Sequence, residues 1–260
     1  MPGSVRIEKQ GQIGFIVFDY PERRNAISYD MWLEIPRAVK ALADDAGVRV
    51  VVLRGAGDVA FVSGADISEF ERTRSGDAAR EYDAANERAF SALFDLDKPL
   101  VAMIHGFCVG GGVAIALTAD FRYAADDSVF AIPAARLGLG YPASGIEALV
   151  NVVGTSAARE IFFTAKRFSA GEALSRRLVN EMRPKPDLEP FVLDVAARIA
   201  ENAPLTIRSA KIVARELLRP AADRDGVKIS ESIADCYASS DYKEGVRAFL
   251  EKRSPAFTGK

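Results

Sequence analysis

IHGFCVGGGVAIALTAD, Ile104 to Asp120, carries the chain out of one kind of secondary structure and into another. Three consecutive glycines, Gly110 to Gly112, separate an apolar strand-like run, Leu100 to Ile104, from an apolar helix-like run, Val113 to Ala119. Glycine lacks a Cβ, so backbone N–H groups there can approach a ligand closely. They also stand where a helix begins, and the unpaired N–H groups of a first helical turn favour negative charge. The segment reads either as a turn that binds an anion or oxyanion, or as a strand-to-helix turn chosen for close packing.

A second segment, FVSGADISEF (Phe61 to Phe70), repeats the theme. A strand-like run, Arg49 to Leu53, and the turn Gly55-Ala56-Gly57 precede it. Gly64 permits an unusual backbone at a loop tip, and Ala65 leaves its own N–H unobstructed. Two small-residue loops, each following a β-type run, can supply one N–H each to a single oxygen. Loss of one such donor typically costs about 100- to 1,000-fold in rate.

Working outward, Val5 to Glu8 and Ile13 to Asp19 read as a hairpin around Gln10-Gly11-Gln12. Tyr29 to Ala43 carries Trp32, Ile35, Val39 and Leu42 at helical spacing. Val48 to Leu53 reads as a buried strand, Ala78 to Leu96 as an amphipathic helix, and Asp120 to Phe130 as further strand. Strand and helix alternating at this spacing predict a βαβ-type sheet. From about Ser156 onward the pattern predicts helices only: Ser156–Phe163, Leu188–Asn202, Leu205–Leu218, Asp225–Ala238 and Ser240–Lys252. Pro204 suits a first helical turn and Pro220 a stop. The expected organisation is an α/β core over residues 1–190 and a helical C-terminal subdomain over 191–260. Ser75-Gly76-Asp77 reads as a mobile loop.

The 260 residues suffice for a substantial core, and 49% apolar with 27% charged residues is ordinary for a globular protein. A net charge of −2 gives no reason to expect nucleic acid or an anionic membrane as partner. The start, MPGSVRIEK, lacks a secretory apolar core, and no apolar run reaches about 18 residues, the pattern of a cytoplasmic protein. Cys108 and Cys236 lie far apart without metal-ligand spacing and read as reduced packing thiols. His105 is the only histidine, which excludes a multi-histidine metal site and argues against a Ser-His-Asp hydrolase. It could act as a base; its place at the end of a buried strand predicts a packed, hydrogen-bonded side chain.

The motifs resemble the crotonase superfamily, the enoyl-CoA hydratase/isomerase group. YPERRNAIS (Tyr20 to Ser28) is similar to its opening motif, SGADI (Ser63 to Ile67) to its first oxyanion loop, and HGFCVGGG (His105 to Gly112) to its second. FAIPAARLGLG (Phe130 to Gly140), FTAKRFSAGEAL (Phe163 to Leu174) and AFLEKRSPAF (Ala248 to Phe257) continue the likeness over nearly the whole chain. The resemblance implies a crotonase-like ββα spiral core with a helical C-terminal trimerisation subdomain, as a trimer or hexamer. It implies an acyl-CoA thioester substrate, with coenzyme A as part of that substrate and no permanently bound cofactor or metal. The Ala65 and Gly111 N–H groups would form the oxyanion hole.

In the hydratase pattern one glutamate follows the triple glycine by two positions and another follows the proline of F-x-x-P. Those positions here hold Ala114 and, after Pro133, Ala134. Glu147 and Glu69 are candidate replacements, or else serve helix termini and surface pairs. Asp66 is expected to order its own loop. Tyr141, in LGLGYPASG, stands where the hydratase pattern has proline. Methylmalonyl-CoA decarboxylases of the superfamily look similar there and also lack both glutamates, but carry a histidine where this chain has Ala65. Tyr141 is thus a candidate catalytic group, or a packed tyrosine bonded to backbone. For coenzyme A, Arg23 and Arg24 beside Asn25 are candidate phosphate contacts. The resemblance puts this loop and the Ala65-Asp66-Ile67 backbone along the adenine and pantetheine, and Phe249 and Lys252 over the coenzyme A of a neighbouring subunit. The bland alternatives are a solvated turn for the arginines and a helix-end cation for Lys252.

Overall fold

The computed structural model describes residues 2–70 and 76–260. Ser75 of the expected mobile loop lies outside them, and a helix begins at Gly76.

β1 (Ser4–Gln10) and β2 (Ile13–Asp19) form the expected antiparallel hairpin, with Gly11 at φ +59° in the turn. α1 (Tyr29–Asp44) follows, buries Trp32, Ile35, Val39 and Leu42, and is capped by Ser28, whose Oγ accepts the Met31 N–H at 3.3 Å. The chain then repeats one unit three times: a strand in a first sheet, a short strand in a second, and a helix. The first repeat is β3 (Val50–Gly55), β4 (Ala60–Val62) and α2 (Gly76–Asp95). The second is β5 (Leu100–Ile104), β6 (Phe107–Val109) and α3 (Gly111–Leu117). The third is β7 (Phe121–Ala125) and β8 (Val129–Ala131), followed by α4 (Ala134–Leu137) and α5 (Ala143–Thr164), the last interrupted at Gly154 (φ +78°). This is the expected ββα spiral.

The first sheet runs β1-β2-β3-β5-β7-β10 and the second β4-β6-β8-β9, with β9 at Phe168–Ser169 and β10 at Glu181–Arg183. From β2 to β10 the first sheet is parallel, and its central strands are continuous apolar runs because both faces are covered. One face joins Ile16, Leu53, Ala102 and Ile104 to Phe61, Cys108 and Phe130 of the second sheet. The other face lies under α7 (Lys185–Ala200), which buries Leu188, Val192, Ala196 and Ala200; α6 (Ala170–Ser175) precedes it. The expected division after residue 190 falls inside α7.

The reading of residues beyond Ser156 as helices only is corrected. β9 and β10 lie in that region, and β10 closes the edge of the first sheet by pairing with β7. Strands of two or three residues leave no periodic signal; recruitment by a neighbour's backbone makes them strands.

Three helices end the chain: α8 (Pro204–Leu218), α9 (Gly226–Ala238) and α10 (Ser240–Glu251). Cations anchor α8 to the turns before β5 and β7. Lys211 Nζ donates to Asp120 at 2.7 Å and to the Lys98 carbonyl at 2.9 Å, and Arg215 donates to the Leu96 carbonyl at 2.6 Å. The buried Asp241 carboxylate holds the tail by accepting the Thr258 and Gly259 N–H groups at 2.7 Å each. Among the described residues no helix is long and apolar enough to cross a membrane.

Candidate active site

β4, β6 and β8 are adjacent and parallel, so their carboxyl ends open on one side. Those ends deliver Gly64-Ala65, Gly110-Gly111 and Pro133-Ala134 to neighbouring positions, the usual place for a ligand beside parallel strands.

Ala65 is aimed by an isolated parallel bridge to Ile27. The Ile27 N–H donates to the Gly64 carbonyl at 2.8 Å, and the Asp66 N–H donates to the Ile27 carbonyl at 2.9 Å. Such a bridge turns the N–H of the bracketed residue the other way, and the Ala65 N–H has no acceptor among the described residues. Gly64 sits at φ +115°, where a side chain is strained.

Gly111 is the first residue of α3, so its N–H has no partner within the helix and none elsewhere among the described residues. Gly110 caps the helix at φ +52° and is tied by its own N–H to the Ala131 carbonyl at 2.8 Å. A Cβ on Gly112 would lie 2.1 Å from the Val62 carbonyl oxygen, so only glycine lets α3 start against β4. A Cβ on Gly111 would lie 3.6 Å from the Ala65 nitrogen. Two loops, each with an unpartnered N–H, therefore meet here; a developing oxyanion is stabilised by such donors.

Ala114 lies one turn beyond Gly111 and is partly exposed on the same side of α3; Ala134 is buried at the start of α4. The two candidate replacement carboxylates differ in their engagement. Glu69 accepts the Tyr29 N–H at 2.7 Å, holding the start of α1, and Glu147 is exposed on α5. Asp66 orders its loop as expected, accepting Ser68 N–H and Oγ–H at 3.0 and 2.6 Å.

Tyr141 packs in the cluster that contains Ala134, its ring 5.0 Å from Phe162 in an edge contact and its Cε1 2.7 Å from where a Gly145 Cβ would stand. Its hydroxyl has no partner among the described residues, so the backbone-bonded alternative does not hold. Burial pushes its pKa up to about 12.

Asn25 is structural: its Nδ2 donates to the Ala56 and Ala60 carbonyls at 2.9 and 2.7 Å, and its Oδ1 accepts the Tyr20 N–H. This pins exposed Arg23 and Arg24 next to the Ala65 loop, where the Arg24 carbonyl accepts the Ser63 N–H. The Arg24 guanidinium lies 4.8 Å over the Phe107 ring, and Arg167, which the sequence did not single out, lies 5.9 Å from it. Neither pairs with a carboxylate among the described residues. Ile67 is exposed beside the loop.

Phe249 and Lys252 are not brought to this site within one chain. Phe249 is 84% exposed and lines a cavity of about 690 Å³ with Tyr237, Tyr242, Leu250 and Phe257 among the last three helices. Lys252 ends α10 in a left-handed conformation. His105 is buried but its Nε2 has no partner among the described residues, which corrects the hydrogen-bonded side chain expected. Burial, then the charge of Lys185, lowers its pKa.

A profile of the enoyl-CoA hydratase/isomerase family matches residues 8–260. A crotonyl-CoA hydratase of Syntrophomonas wolfei is 35% identical over 99% of this chain and 98% of its own length. A short-chain-enoyl-CoA hydratase of Clostridium acetobutylicum is 31% identical over 96% of this chain and 95% of its own. The crystal structure of an enoyl-CoA hydratase/carnithine racemase from Magnetospirillum magneticum superposes with a TM-score of 0.94 at 32% identity, covering 98% of this chain and 96% of that one. The chain belongs to the enoyl-CoA hydratase/isomerase family.

Proposed function

We propose that this protein, an acyl-CoA enzyme by family, holds a thioester enolate between the Ala65 and Gly111 N–H groups. The observation that supports this is that the loops carrying these two unpartnered N–H groups meet at the ends of adjacent parallel strands. The thioester carbonyl oxygen would sit between them and gain charge as the enolate forms. Arg23, Arg24 and the Ala65-Asp66-Ile67 backbone would hold the coenzyme A part. The open, apolar last helices favour assembly as a trimer or hexamer, in which a neighbour's Phe249 and Lys252 could cover the adenine.

The relatives' names suggest addition or removal of water. By family pattern Ala114 and Ala134 occupy the places of the acid–base glutamates, and alanine cannot carry a proton. A second reading is therefore favoured by the free Tyr141 hydroxyl: decarboxylation of a malonyl-type thioester. There the bond from C2 to the carboxylate breaks, CO2 leaves, and the electron pair forms the enolate without a base. Tyr141 would then orient the departing carboxylate or help protonate C2.

Mass spectrometry of purified protein with crotonyl-CoA and with methylmalonyl-CoA separates these. Hydration of crotonyl-CoA means other groups carry the protons. Loss of CO2 alone supports the Tyr141 reading. Binding of both esters without turnover supports a CoA-ester-binding relative instead.

A further inference from the structure

Nothing inside α3 fixes the aim of its first N–H. The helix has seven residues and its cap, Gly110, has no side chain. Gly112 against Val62 and Gly110 against Ala131 hold two sides of the turn. Gly64 and Pro133 also lie beside the turn, and the side chain that approaches Gly111 is Trp32: its Cζ2 lies 3.6 Å from where a Gly111 Cβ would stand, the same distance as the Ala65 nitrogen.

The indole is itself fixed from two directions. Its Nε1–H donates to the Tyr82 hydroxyl at 3.1 Å in the interior, and its ring lies 5.3 Å from Phe90, both on α2. Trp32 is 1% exposed, so it backs the Gly111 turn without lining an open pocket. It also lies on the segment whose Ile27 backbone aims Ala65. One short stretch, residues 27–32, thus lies against both loops that carry the N–H donors, brackets Ala65 through the Ile27 backbone and backs Gly111 with the Trp32 side chain.

We infer that Trp32 is a positioning residue for the Gly111 N–H, held in place by the Tyr82 hydroxyl. The inference rests on the oxyanion reading above. A small movement of an oxyanion donor weakens it steeply, because hydrogen bonds depend on distance and angle. Removing the indole lets the first turn of α3 relax, and removing the Tyr82 hydroxyl leaves the indole N–H unpaired in the interior, so the ring moves to find a partner.

The test uses butyryl-CoA labelled with carbon-13 at the thioester carbonyl, a saturated ester that cannot add water. Its carbonyl stretch is recorded by infrared difference spectroscopy when bound to wild type, Trp32→Phe, Trp32→Ala and Tyr82→Phe, with Kd measured alongside. The wild type is expected to shift the band to lower frequency. Trp32→Ala loses most of that shift while Kd changes by less than about threefold. Trp32→Phe, which keeps a ring, restores part of it, and Tyr82→Phe loses a smaller part. If Trp32→Ala does not fold, Tyr82→Phe decides, since it removes a single oxygen. A shifted wild-type band that stays fully shifted in the folded variants overturns the positioning role alone. A wild-type band that does not shift, with the ester bound, overturns the oxyanion reading and this inference with it.

Discussion

Ile27 donates its N–H to the Gly64 carbonyl at 2.8 Å and accepts the Asp66 N–H at 2.9 Å, so Ala65 is bracketed and its nitrogen, 3.6 Å from where a Gly111 Cβ would stand, is left without a partner among the described residues. The arrangement depends on Gly64, whose φ of +115° places a new Cβ 3.3 Å from the Val109 carbonyl oxygen. Gly64→Ala is therefore expected to shift the loop that carries the Ala65 N–H. Turnover is expected to fall about 100- to 1,000-fold, the usual loss for one oxyanion donor. Ester affinity, followed by the fluorescence of the single tryptophan, Trp32, changes far less. Equal losses in both would mean the loop only binds.

Burial pushes the Tyr141 pKa up to about 12, so its hydroxyl keeps its proton near neutral pH. It can donate a hydrogen bond but does not ionise, so it adds no alkaline limb to the rate between pH 6 and 10. If it acts on the acyl group, Tyr141→Phe lowers turnover by about 100-fold or more, the range of positioned acid–base groups, with Kd nearly unchanged. Gly145→Ala should reproduce that loss by displacing the ring, since the new methyl would stand 2.7 Å from Cε1. Unaltered kinetics in both variants would make Tyr141 a packing residue.

Arg24 and Arg167 share the Phe107 ring and pair with no carboxylate among the described residues, which leaves two guanidiniums available to one anion. Arg167→Gln is expected to weaken butyryl-CoA binding about tenfold, the effect of losing one charge-assisted hydrogen bond. Binding of butyryl-pantetheine, which has no phosphate, should not change. Calorimetry with the two esters makes the comparison; a parallel loss with both places Arg167 outside the phosphate contacts.

Much of this site is written locally. β5 was expected at Leu100–Ile104 and lies there, because its apolar run is bounded by Pro99 and by the His105-Gly106 turn. The glycines at 64 and 110–112 announced themselves because only a residue without Cβ tolerates the left-handed φ at 64 and 110 and the contact of Gly112 with Val62. What gave no local signal is contact between distant segments. Ile27 acts through its backbone, so its side chain reveals nothing. Trp32 meets Gly111, and Arg167 meets Phe107, only after the spiral has closed. β10 is three residues recruited by β7, and its composition alone does not mark a strand.

Arg122 is buried and forms no ion pair among the described residues, although Asp120 lies near enough to favour its charge; its Nε and Nη1 donate to the Leu178 and Ala119 carbonyls at 2.8 and 2.6 Å. It ties β7 to the turn before β10. Arg122→Met leaves both carbonyls without those donors at a cost of about 3 kcal/mol. For a chain of this size that lowers Tm by roughly 10 °C, read by calorimetry. A change of a degree or two would show that water replaces the guanidinium.

His105 gives stability a pH dependence whose sign follows from its surroundings. Its folded pKa lies below 6.5, first because the ring is buried, then because Lys185 opposes a second positive charge; Arg54 acts the same way, and Asp127 and Asp58 act against it. Above 6.5 the ring is neutral in both folded and unfolded chains, and the stability is fully present. As pH falls through 6.5 the unfolded chain takes up a proton that the folded chain refuses, so stability is lost progressively toward the lower, folded pKa. Most carboxylates titrate below this window, which makes pH 6.5 to 5.5 the informative range. Tm should drop across it in the wild type and stay nearly level in His105→Gln, whose amide does not titrate. Equal slopes in the two proteins would mean that His105 is protonated in the folded state and that its Nε2 finds an acceptor.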